Sequence, residues 1–323
     1  MKQRIIFRSD GNSDIGLGHV IRSLALANIL SDKFECLFVT RFLNEFILNE
    51  ISYSCGNYIK LSEDNDDHFE EFLDLLSAKD IVVLDNYFFS TEYQIYIKSK
   101  GCKLVLIDDM CEGHFVADAV INHSPSVSAD RYSKENYTKL FLGLEYALLR
   151  KSFFNLPKKA RNTSALKVLV CLGGSDKYDI TSRVVTLLGA HQDVSSIDVI
   201  ISSSFQRKSQ LEKVIASVSK DVKVFSNQSA SEVAKRMQIC DFGIFPASTI
   251  CLEALYAGLP FMVGYSVENH KELYKTLVMK YNIQGLGNLL NLTVLPAFKN
   301  DMAQLEFFDS TSSLVSIFEN FGG

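Results

Sequence analysis

The chain has 323 residues, 47% of them hydrophobic, and a formal net charge of −5. This length predicts about two domains. The absence of a Lys/Arg run argues against nucleic-acid binding, and no apolar stretch reaches the ~20 residues of a membrane span. Seven cysteines without a CxxC pair argue against a disulfide framework and a structural zinc site. The start is too quickly polar for a signal peptide, so we expect a cytoplasmic protein without a membrane partner. A monomer is the default expectation, and the sequence leaves the oligomeric state open.

Short apolar runs alternate with helical patterns in the first half of the chain. The predicted strands are 4–7, 35–40, 81–85, 103–108 and 119–122, and the predicted helices include 20–30 and 93–99. Continuous apolar strands joined by helices are typical of a buried parallel sheet. The first half therefore predicts an α/β domain.

The pattern breaks between residues 151 and 165, where Pro157, Lys158 and Lys159 mark a linker. A second series of strands follows at 167–172, 197–202, 222–225, 241–245 and 260–264, and 304–321 predicts an amphipathic helix. We therefore predict domains at 1–157 and 158–303 and a tail at 304–323. The expected fold is two doubly wound, Rossmann-like α/β domains that face each other across a cleft, with ligands at the carboxyl ends of the strands.

A glycine-containing loop after the first strand carries the strongest functional signal. It reads RSDGNSDIGLGHVIR and lacks both the Rossmann fingerprint and the Walker A lysine. His19 falls in the first turn of the following helix, whose positive end disfavours an imidazolium and so favours a general base. Gly16 and Gly18 permit close approach of a ligand. The alternative is that His19 merely caps or packs the helix.

Three charged residues flank this loop: Arg8, Asp10 and Arg22. Asp10 and Arg22 are candidates for contact with a ligand, because they surround the loop that carries His19. The alternative for all three is an ion-pair network that shapes the loop. Residue spacing leaves both possibilities open.

Two segments of the second half are candidates for an anion site. Gly173, Gly174 and Ser175 follow a strand and expose backbone N–H groups suited to phosphate, although a simple tight turn is an equal alternative. Ser248 or Thr249 can cap a helix whose positive end would hold a diphosphate. Glu253, about one turn further along this helix, can accept hydrogen bonds from the hydroxyls of a ribose. The alternative is a capped helix with a solvated glutamate.

With these residues in view, the chain resembles the UDP-2,4-diacetamido-2,4,6-trideoxy-β-L-altropyranose hydrolases of pseudaminic acid biosynthesis, and is similar to the spore-coat protein SpsG. The resemblance runs from Arg8 to about Gly287. Its matching pieces are RSDGNSDIGLGHVIRSLALA, Asp85-Asn86-Tyr87, LIDD, VINHSPS, GLEYALLRKSF, LGGSD, PASTICLEALYAGLP and Glu268-Asn269. LGGSD and the glutamate-containing helix are shared with GT-B glycosyltransferases.

The resemblance implies a GT-B fold, UDP bound mainly by the second domain, and hydrolysis of a UDP-sugar at the anomeric carbon without a cofactor or metal. By position, His19 matches the catalytic histidine, Tyr87 and Asn269 match residues on the sugar side, and Glu253 matches the ribose-binding glutamate. Two residues depart from the family pattern. Ser23 replaces a usual cysteine, and His270 replaces a glutamine, which leaves the sugar contacts of that loop open.

The implied mechanism is attack of a water on the anomeric carbon with inversion, and His19 takes the proton. UDP leaves readily, and helix N-termini near Gly174 and Ser248 would stabilise it. Asp108 and Asp109 follow a strand and could organise the loop or hold water. Two alternatives stay open: a glycosyltransferase of the same fold, which uses an acceptor, and a nucleotide-sugar-binding protein without catalysis.

Overall fold

The computed structural model describes residues 2–12, 15–64, 67–154, 156–157, 161–162, 164–173, 176–202, 205–299 and 310–321. The predicted linker residues 158–160 lie outside these ranges, as do Gly174, Ser175 and the first part of the predicted C-terminal helix. The chain divides into two compact units. Unit 1 comprises Met1–Lys151 and Phe308–Gly323, and unit 2 comprises Ser152–Phe307.

Unit 1 is built around a parallel sheet with helices between its strands. Its strands are β1 (Arg4–Ser9), β2 (Glu35–Thr40), β3 (Tyr58–Lys60), β4 (Ile81–Asp85), β5 (Lys103–Ile107), β6 (His114–Phe115), β7 (Ala119–Asn122), β8 (Ser133–Lys134) and β9 (Lys139–Leu142). Its connecting helices are α1 (Gly18–Leu30), α2 (Glu45–Ser54), α3 (Asp67–Asp74) and α4 (Thr91–Ser99).

The strand order of unit 1 is β3-β2-β1-β4-β5-β7-β9, while β6 and β8 pair separately. Parallel pairs join β1 to β2 in one direction and to β4 in the other, with Phe7 opposite Phe38 and Val83. Both faces of these central strands are buried. Because the chain order reverses between β1 and β4, their carboxyl ends form a topological switch point, where sheets of this type bind ligands.

Unit 2 repeats this plan. Its strands are β10 (Leu166–Val170), β11 (Val194–Ile201), β12 (Asp221–Ser226), β13 (Phe242–Pro246), β14 (Phe261–Tyr265) and β15 (Gln284–Asn288). Its helices are α5 (Ile180–Gly189), α6 (Lys208–Ser217), α7 (Ala230–Ile239), α8 (Thr249–Tyr256) and α9 (Lys271–Met279). The parallel order β12-β11-β10-β13-β14-β15 places a second switch point between β10 and β13. The predicted doubly wound architecture is confirmed in each unit.

The last helix, α10 (Thr311–Glu319), packs on unit 1. Its buried face consists of Leu314, Val315, Ile317 and Phe318. At its start the Ser310 hydroxyl donates to the Ala147 carbonyl oxygen at 2.6 Å. Among the described residues, no helix combines the length and apolar character needed to cross a membrane.

Candidate active site

The loops after β1 and β4 meet at the switch point of unit 1. The backbone N–H of Asp10 donates to Asn86 Oδ1 at 2.6 Å, which joins the two loops directly. The first loop leads into α1, whose first turn contains His19, as the spacing predicts. The second loop begins at Asp85, the last residue of β4. The fold therefore brings the His19 turn beside the Asp85-Asn86-Tyr87 segment.

His19 is held by a buried carboxylate. Its Nδ1 lies 2.7 Å from Asp85 Oδ1, and only 6% of the residue is exposed. Arg22, one turn later on α1, donates to the same carboxylate from Nε at 2.7 Å and from Nη2 at 2.5 Å. The Ser23 hydroxyl donates to Asp85 Oδ2 at 3.0 Å. One face of α1 thus encloses the Asp85 carboxylate.

These contacts fix the tautomer of His19. Burial alone would raise the pKa of Asp85, but the charges of Arg22 and His19 and their hydrogen bonds outweigh it and lower the pKa to about 2. The ionised carboxylate can only accept, so Nδ1 carries the proton that it shares with Asp85. Arg22 Nη2 also lies 3.0 Å from this nitrogen. Nε2 is then the unprotonated nitrogen of the neutral ring.

A second carboxylate extends this network to Tyr87. Arg22 Nη1 donates to Asp109 Oδ2 at 2.8 Å, and the Tyr87 hydroxyl donates to the same oxygen at 3.2 Å. The Tyr87 ring stands edge-on to the His19 ring, with centroids 4.6 Å apart and planes at 84°. Tyr87 is 56% exposed, so its ring offers an aromatic surface beside His19.

The charges of this network are those of Arg22 and of the two carboxylates that it contacts. Burial by itself would lower the pKa of Arg22, yet the carboxylates of Asp85 and Asp109 raise it well above its usual value. One guanidinium therefore faces two carboxylates, a local charge of −1.

Asp10 belongs to a separate buried cluster beneath the loop. Its carboxylate accepts from Arg8 Nη1 at 2.6 Å and Nη2 at 3.0 Å, and from Arg41 Nε at 2.7 Å. The Arg41 backbone N–H and the Thr40 hydroxyl complete the shell at 2.8 and 3.1 Å. Burial would raise the pKa of Asp10, but the arginines and these hydrogen bonds lower it. Arg8 and Asp10 thus form a buried ion-pair network, the alternative considered for them from the sequence. This network fixes the start of the loop that leads to His19.

The glycines of the loop differ in what they allow. A Cβ on Gly11 would lie 2.8 Å from Val20 Cγ2 and 3.0 Å from the Gly16 carbonyl oxygen, so only glycine fits there. Gly16 has φ of +87° and pairs back to Asn12 through its N–H at 2.9 Å. Gly18, by contrast, has no positive φ, and among the described residues no atom beyond its chain neighbours and its own helix backbone lies within 4 Å of a Cβ added there. The space above Gly18 is thus open to a ligand.

A cavity of about 310 Å³ lies next to this network, and we call it the side cavity. Its polar lining includes Arg22, Asn86, Tyr87, Gln94 and Asp109. Its apolar lining consists of Leu84, Phe89, Leu106, Ile107, Met110 and Phe115. Within the described ranges, no group of three or more His, Cys, Asp and Glu side chains could hold a metal ion.

Asp108, also on the lining of the side cavity, has a structural environment. It accepts from the Tyr132 hydroxyl at 2.8 Å and from the Cys111 N–H at 3.0 Å. These bonds fix the turn after β5. Asp109 next to it is thereby placed against Arg22.

In unit 2 the loop after β10 leads toward α5, and Gly173 has φ of +98°; no atom of the described residues beyond its neighbours lies within 4 Å of a Cβ added there. The carboxylate of Asp176 accepts from the Ile180 N–H at 2.9 Å and the Thr181 N–H at 2.7 Å. This internal anion occupies the positive end of α5. The predicted contacts of Gly174 and Ser175 lie outside the described residues.

The loop after β13 leads into α8, whose first turn contains no acidic residue. Ser248 occupies the N-cap position with extended backbone, but its side chain makes no capping hydrogen bond among the described residues. Thr249 is the first residue of α8 and is half-buried. Glu253, one turn on, is 2% exposed. Of the two predicted anion-binding helix ends, α8 is the one without a carboxylate cap.

The Glu268–His270 segment forms a short 3₁₀ helix after β14. Asn269 is exposed. Burial lowers the pKa of His270 to about 4, and its Nδ1 is a buried atom without a hydrogen-bond partner among the described residues. His270 is therefore half-buried rather than a plain surface histidine.

Sequence reasoning assigned no role to Asp85 and left Asp109 open, although both are central to the network. Asp85 ends a strand at the switch point, next to the loop that carries a candidate base, and this position was the available signal. Arg41 follows β2 and was missed entirely, because nothing in its neighbourhood marks it as a partner of Asp10.

Comparison with known proteins shows the family of the chain. The model of the lipid-A-disaccharide synthetase family, LpxB, matches residues 136–316, which is more than half of the chain. The chain belongs to this family. Solved structures of GT-B type share the fold of this LpxB-family member: the calicheamicin glycosyltransferase CalG4 (TM-score 0.60, 11% identity, 100% of this chain and 95% of that one) and Acinetobacter baumannii MurG (0.59, 11%, 99% and 91%). The predicted GT-B fold is confirmed.

Three further relatives are more similar in sequence to this member of the LpxB family than the two solved structures are. A UDP-2,4-diacetamido-2,4,6-trideoxy-β-L-altropyranose hydrolase of Campylobacter jejuni is 26% identical over 86% of this chain and 97% of its own. The spore coat polysaccharide biosynthesis protein SpsG of Bacillus subtilis is 25% identical, over 86% and 82%. Protein MJ1062 of Methanocaldococcus jannaschii is 28% identical over 88% of this chain, which spans 60% of the length of that protein. The resemblance to the hydrolase and to SpsG is confirmed.

Proposed function

We propose that the chain is a hydrolase that releases UDP from a UDP-2,4-diacetamido-2,4,6-trideoxyhexose, in nonulosonate biosynthesis of the pseudaminic-acid type. The observation that carries the proposal is the Asp85–His19 pair, 2.7 Å apart at the switch point of unit 1. A histidine oriented by a buried carboxylate is well suited to act as a general base. The similarity to the C. jejuni hydrolase over 97% of its length supports the choice of reaction. We further propose that it acts as a cytoplasmic monomer.

In the proposed reaction His19 Nε2 accepts a proton from a water whose oxygen attacks the anomeric carbon. The bond from that carbon to the diphosphate oxygen breaks, and its electron pair leaves with UDP. A single displacement by water inverts the configuration. Asp85 stabilises the imidazolium that forms, while Tyr87 lines the sugar side of His19. Arg22 supports this step by holding both carboxylates, and Asp10 contributes through the shape of the loop.

UDP would bind to unit 2. The uncapped N-terminus of α8, with Ser248 and Thr249, would hold the diphosphate through backbone N–H groups, and Glu253 would accept from the ribose hydroxyls. Gly173, Gly174 and Ser175 would complete the phosphate contacts, and Asn269 would reach the sugar. In this proposal the backbone N–H groups at the helix N-terminus stabilise the negative charge of the departing UDP, so the mechanism requires no metal.

The test is to incubate the purified protein with the UDP-diacetamido sugar, no acceptor and EDTA, and to follow UDP and free sugar by NMR. We expect stoichiometric release of both. The second candidate, a glycosyltransferase, is favoured by membership of the lipid-A-disaccharide synthetase family. Release that occurs only when an acceptor is added would support it and overturn the hydrolase. If the protein bound UDP but turned over no substrate with or without an acceptor, the result would support a nucleotide-sugar-binding protein without catalytic activity.

The open space above Gly18 permits a prediction that separates binding from stability. We expect Gly18→Ala to leave the free energy of unfolding unchanged or raised by up to about 1 kcal/mol, because alanine favours the helix. If the substrate lies against this backbone, kcat/KM for UDP release falls at least about tenfold. Denaturant titration and steady-state kinetics check the two effects. An unchanged kcat/KM would show that no ligand approaches Gly18.

A further inference from the structure

The side cavity contains an amide whose orientation is fixed. Gln94 lies on α4, is 3% exposed, and accepts the Val116 N–H through Oε1 at 3.0 Å. A backbone N–H needs an acceptor, so this bond assigns the oxygen to that side and leaves Nε2 on the other. No described residue accepts a hydrogen bond from Nε2. The cavity therefore offers an N–H donor from a side chain that is itself buried.

A second residue of the same lining, Asp109, carries an unpaired acceptor atom. Asp109 Oδ2 is used by Arg22 and Tyr87, but Oδ1 is buried and has no hydrogen-bond partner among the described residues. Buried polar atoms are normally paired, so an unpaired carboxylate oxygen calls for a donor from elsewhere. A ligand N–H would supply it.

Besides its polar residues, which include Glu112, the wall has an apolar part. Phe89, Leu106 and Phe115 are almost completely buried and contribute rings and methyl groups to the lining, together with Met110. A ligand group for this cavity would combine a hydrogen-bond acceptor for Gln94, a donor for Asp109 and a small apolar end. A secondary amide with a short alkyl tail has these three features.

We propose that the side cavity binds an N-acyl substituent of the sugar, with the carbonyl oxygen on Gln94 Nε2, the amide N–H toward Asp109 and the acyl methyl against Phe89, Leu106 and Phe115. Gln94 is then a specificity-determining residue. This inference rests on the proposed function, because a sugar that presents its anomeric carbon to His19 lies against Tyr87, which also lines the cavity.

The test measures kcat/KM for UDP release with three substrates: the diacetamido sugar and the two counterparts in which one acetamido group is a free amine. In the wild type we expect kcat/KM for the diacetamido sugar to be about 100-fold higher than kcat/KM for at least one of the two amine counterparts. Gln94→Glu keeps the acceptor for Val116 and replaces the donor by an oxygen. At pH 8 this variant should reduce the ratio of the two kcat/KM values at least about tenfold, mainly because kcat/KM for the diacetamido sugar falls.

Gln94→Met serves as a second variant, because it removes the donor without adding charge, and the ratio should fall in the same direction. It also removes the acceptor of the Val116 N–H, so the ratio is measured on protein that is folded by circular dichroism. Gln210→Glu makes the same change on the exposed side of α6 and should leave the ratio at its wild-type value. Equal ratios in the wild type and both Gln94 variants would overturn the acyl pocket while leaving the hydrolase intact. If the wild type releases UDP from none of the three sugars, the proposed function fails and the pocket with it.

Discussion

The His19→Asn variant is expected to lose about 10²–10⁴ in kcat for UDP release, the usual contribution of a positioned general base. Asparagine fits the first turn of α1 but offers no nitrogen that accepts a proton at the position of Nε2. UDP affinity should stay within about twofold of the wild type, because the proposed UDP contacts lie in unit 2. Steady-state kinetics and calorimetric titration with UDP measure the two quantities.

The control is His114→Asn, which changes a more exposed histidine of unit 1 that contacts Ser133 and Glu135. Its kcat should equal that of the wild type. A His19→Asn enzyme with nearly normal kcat would show that another group activates the water. A loss of UDP binding in parallel with kcat would mean that the variant is misfolded or that His19 holds the nucleotide.

The Asp85→Asn variant is expected to lose both stability and activity. The change removes a buried carboxylate and leaves the Arg22 charge partly uncompensated, which costs about 3–5 kcal/mol when one partner of a buried pair is lost. The amide can also donate to His19 Nδ1 and so stabilise the wrong tautomer, which places the proton on Nε2. We expect kcat to fall by about 10²–10⁴, measured on protein that is folded by circular dichroism.

Asp80→Asn is the matched control, since Asp80 is buried just before β4 and pairs with Arg4 at 2.6 Å. It should lower stability but leave kcat unchanged, because it lies at the opposite end of the strand from Asp85. If Asp85→Asn proved no slower than Asp80→Asn, the carboxylate would have a structural role and not one in orienting His19.

Acid titration offers an independent check on Asp85. Its pKa of about 2 in the folded protein lies below its usual value of about 3.9 in an unfolded chain. The ionised carboxylate therefore stabilises the fold above about pH 4, and this contribution disappears as the pH falls toward 2. The difference in unfolding free energy between wild type and Asp85→Asn should shrink over that interval.

Local pattern was sufficient for the buried strands and for the position of His19. The ranges 35–40, 81–85 and 119–122 match β2, β4 and β7 residue for residue, because continuous apolar runs carry their own signal. β3 has only three residues, and β15 reads QGLGN, so neither stands out from a loop. Edge strands of this kind are defined by their neighbours in the sheet.

The contacts that give the site its chemistry are long-range and escaped the sequence. Arg22 and Asp85 are 63 residues apart, and no local pattern indicates that they meet. Asp176 directly follows the segment 173–175 that predicts phosphate contacts, and its carboxylate accepts from the first N–H groups of α5. The sequence does not show which acceptor the first N–H groups of a helix bind, because that depends on the folded backbone. The difference between the start of α5, which binds a carboxylate, and the start of α8, where Ser248 makes no capping bond, is therefore seen only in the structure.

The central claim is that water, activated by His19, attacks the anomeric carbon of a UDP-sugar. The most direct measurement is hydrolysis of the diacetamido sugar in H₂¹⁸O, without an acceptor, followed by mass spectrometry of both products and NMR of the first anomer formed. We predict that ¹⁸O enters the sugar at its anomeric hydroxyl, that UDP contains none, and that the configuration is inverted. Label in UDP, retention of configuration, or no release without an acceptor would contradict the account.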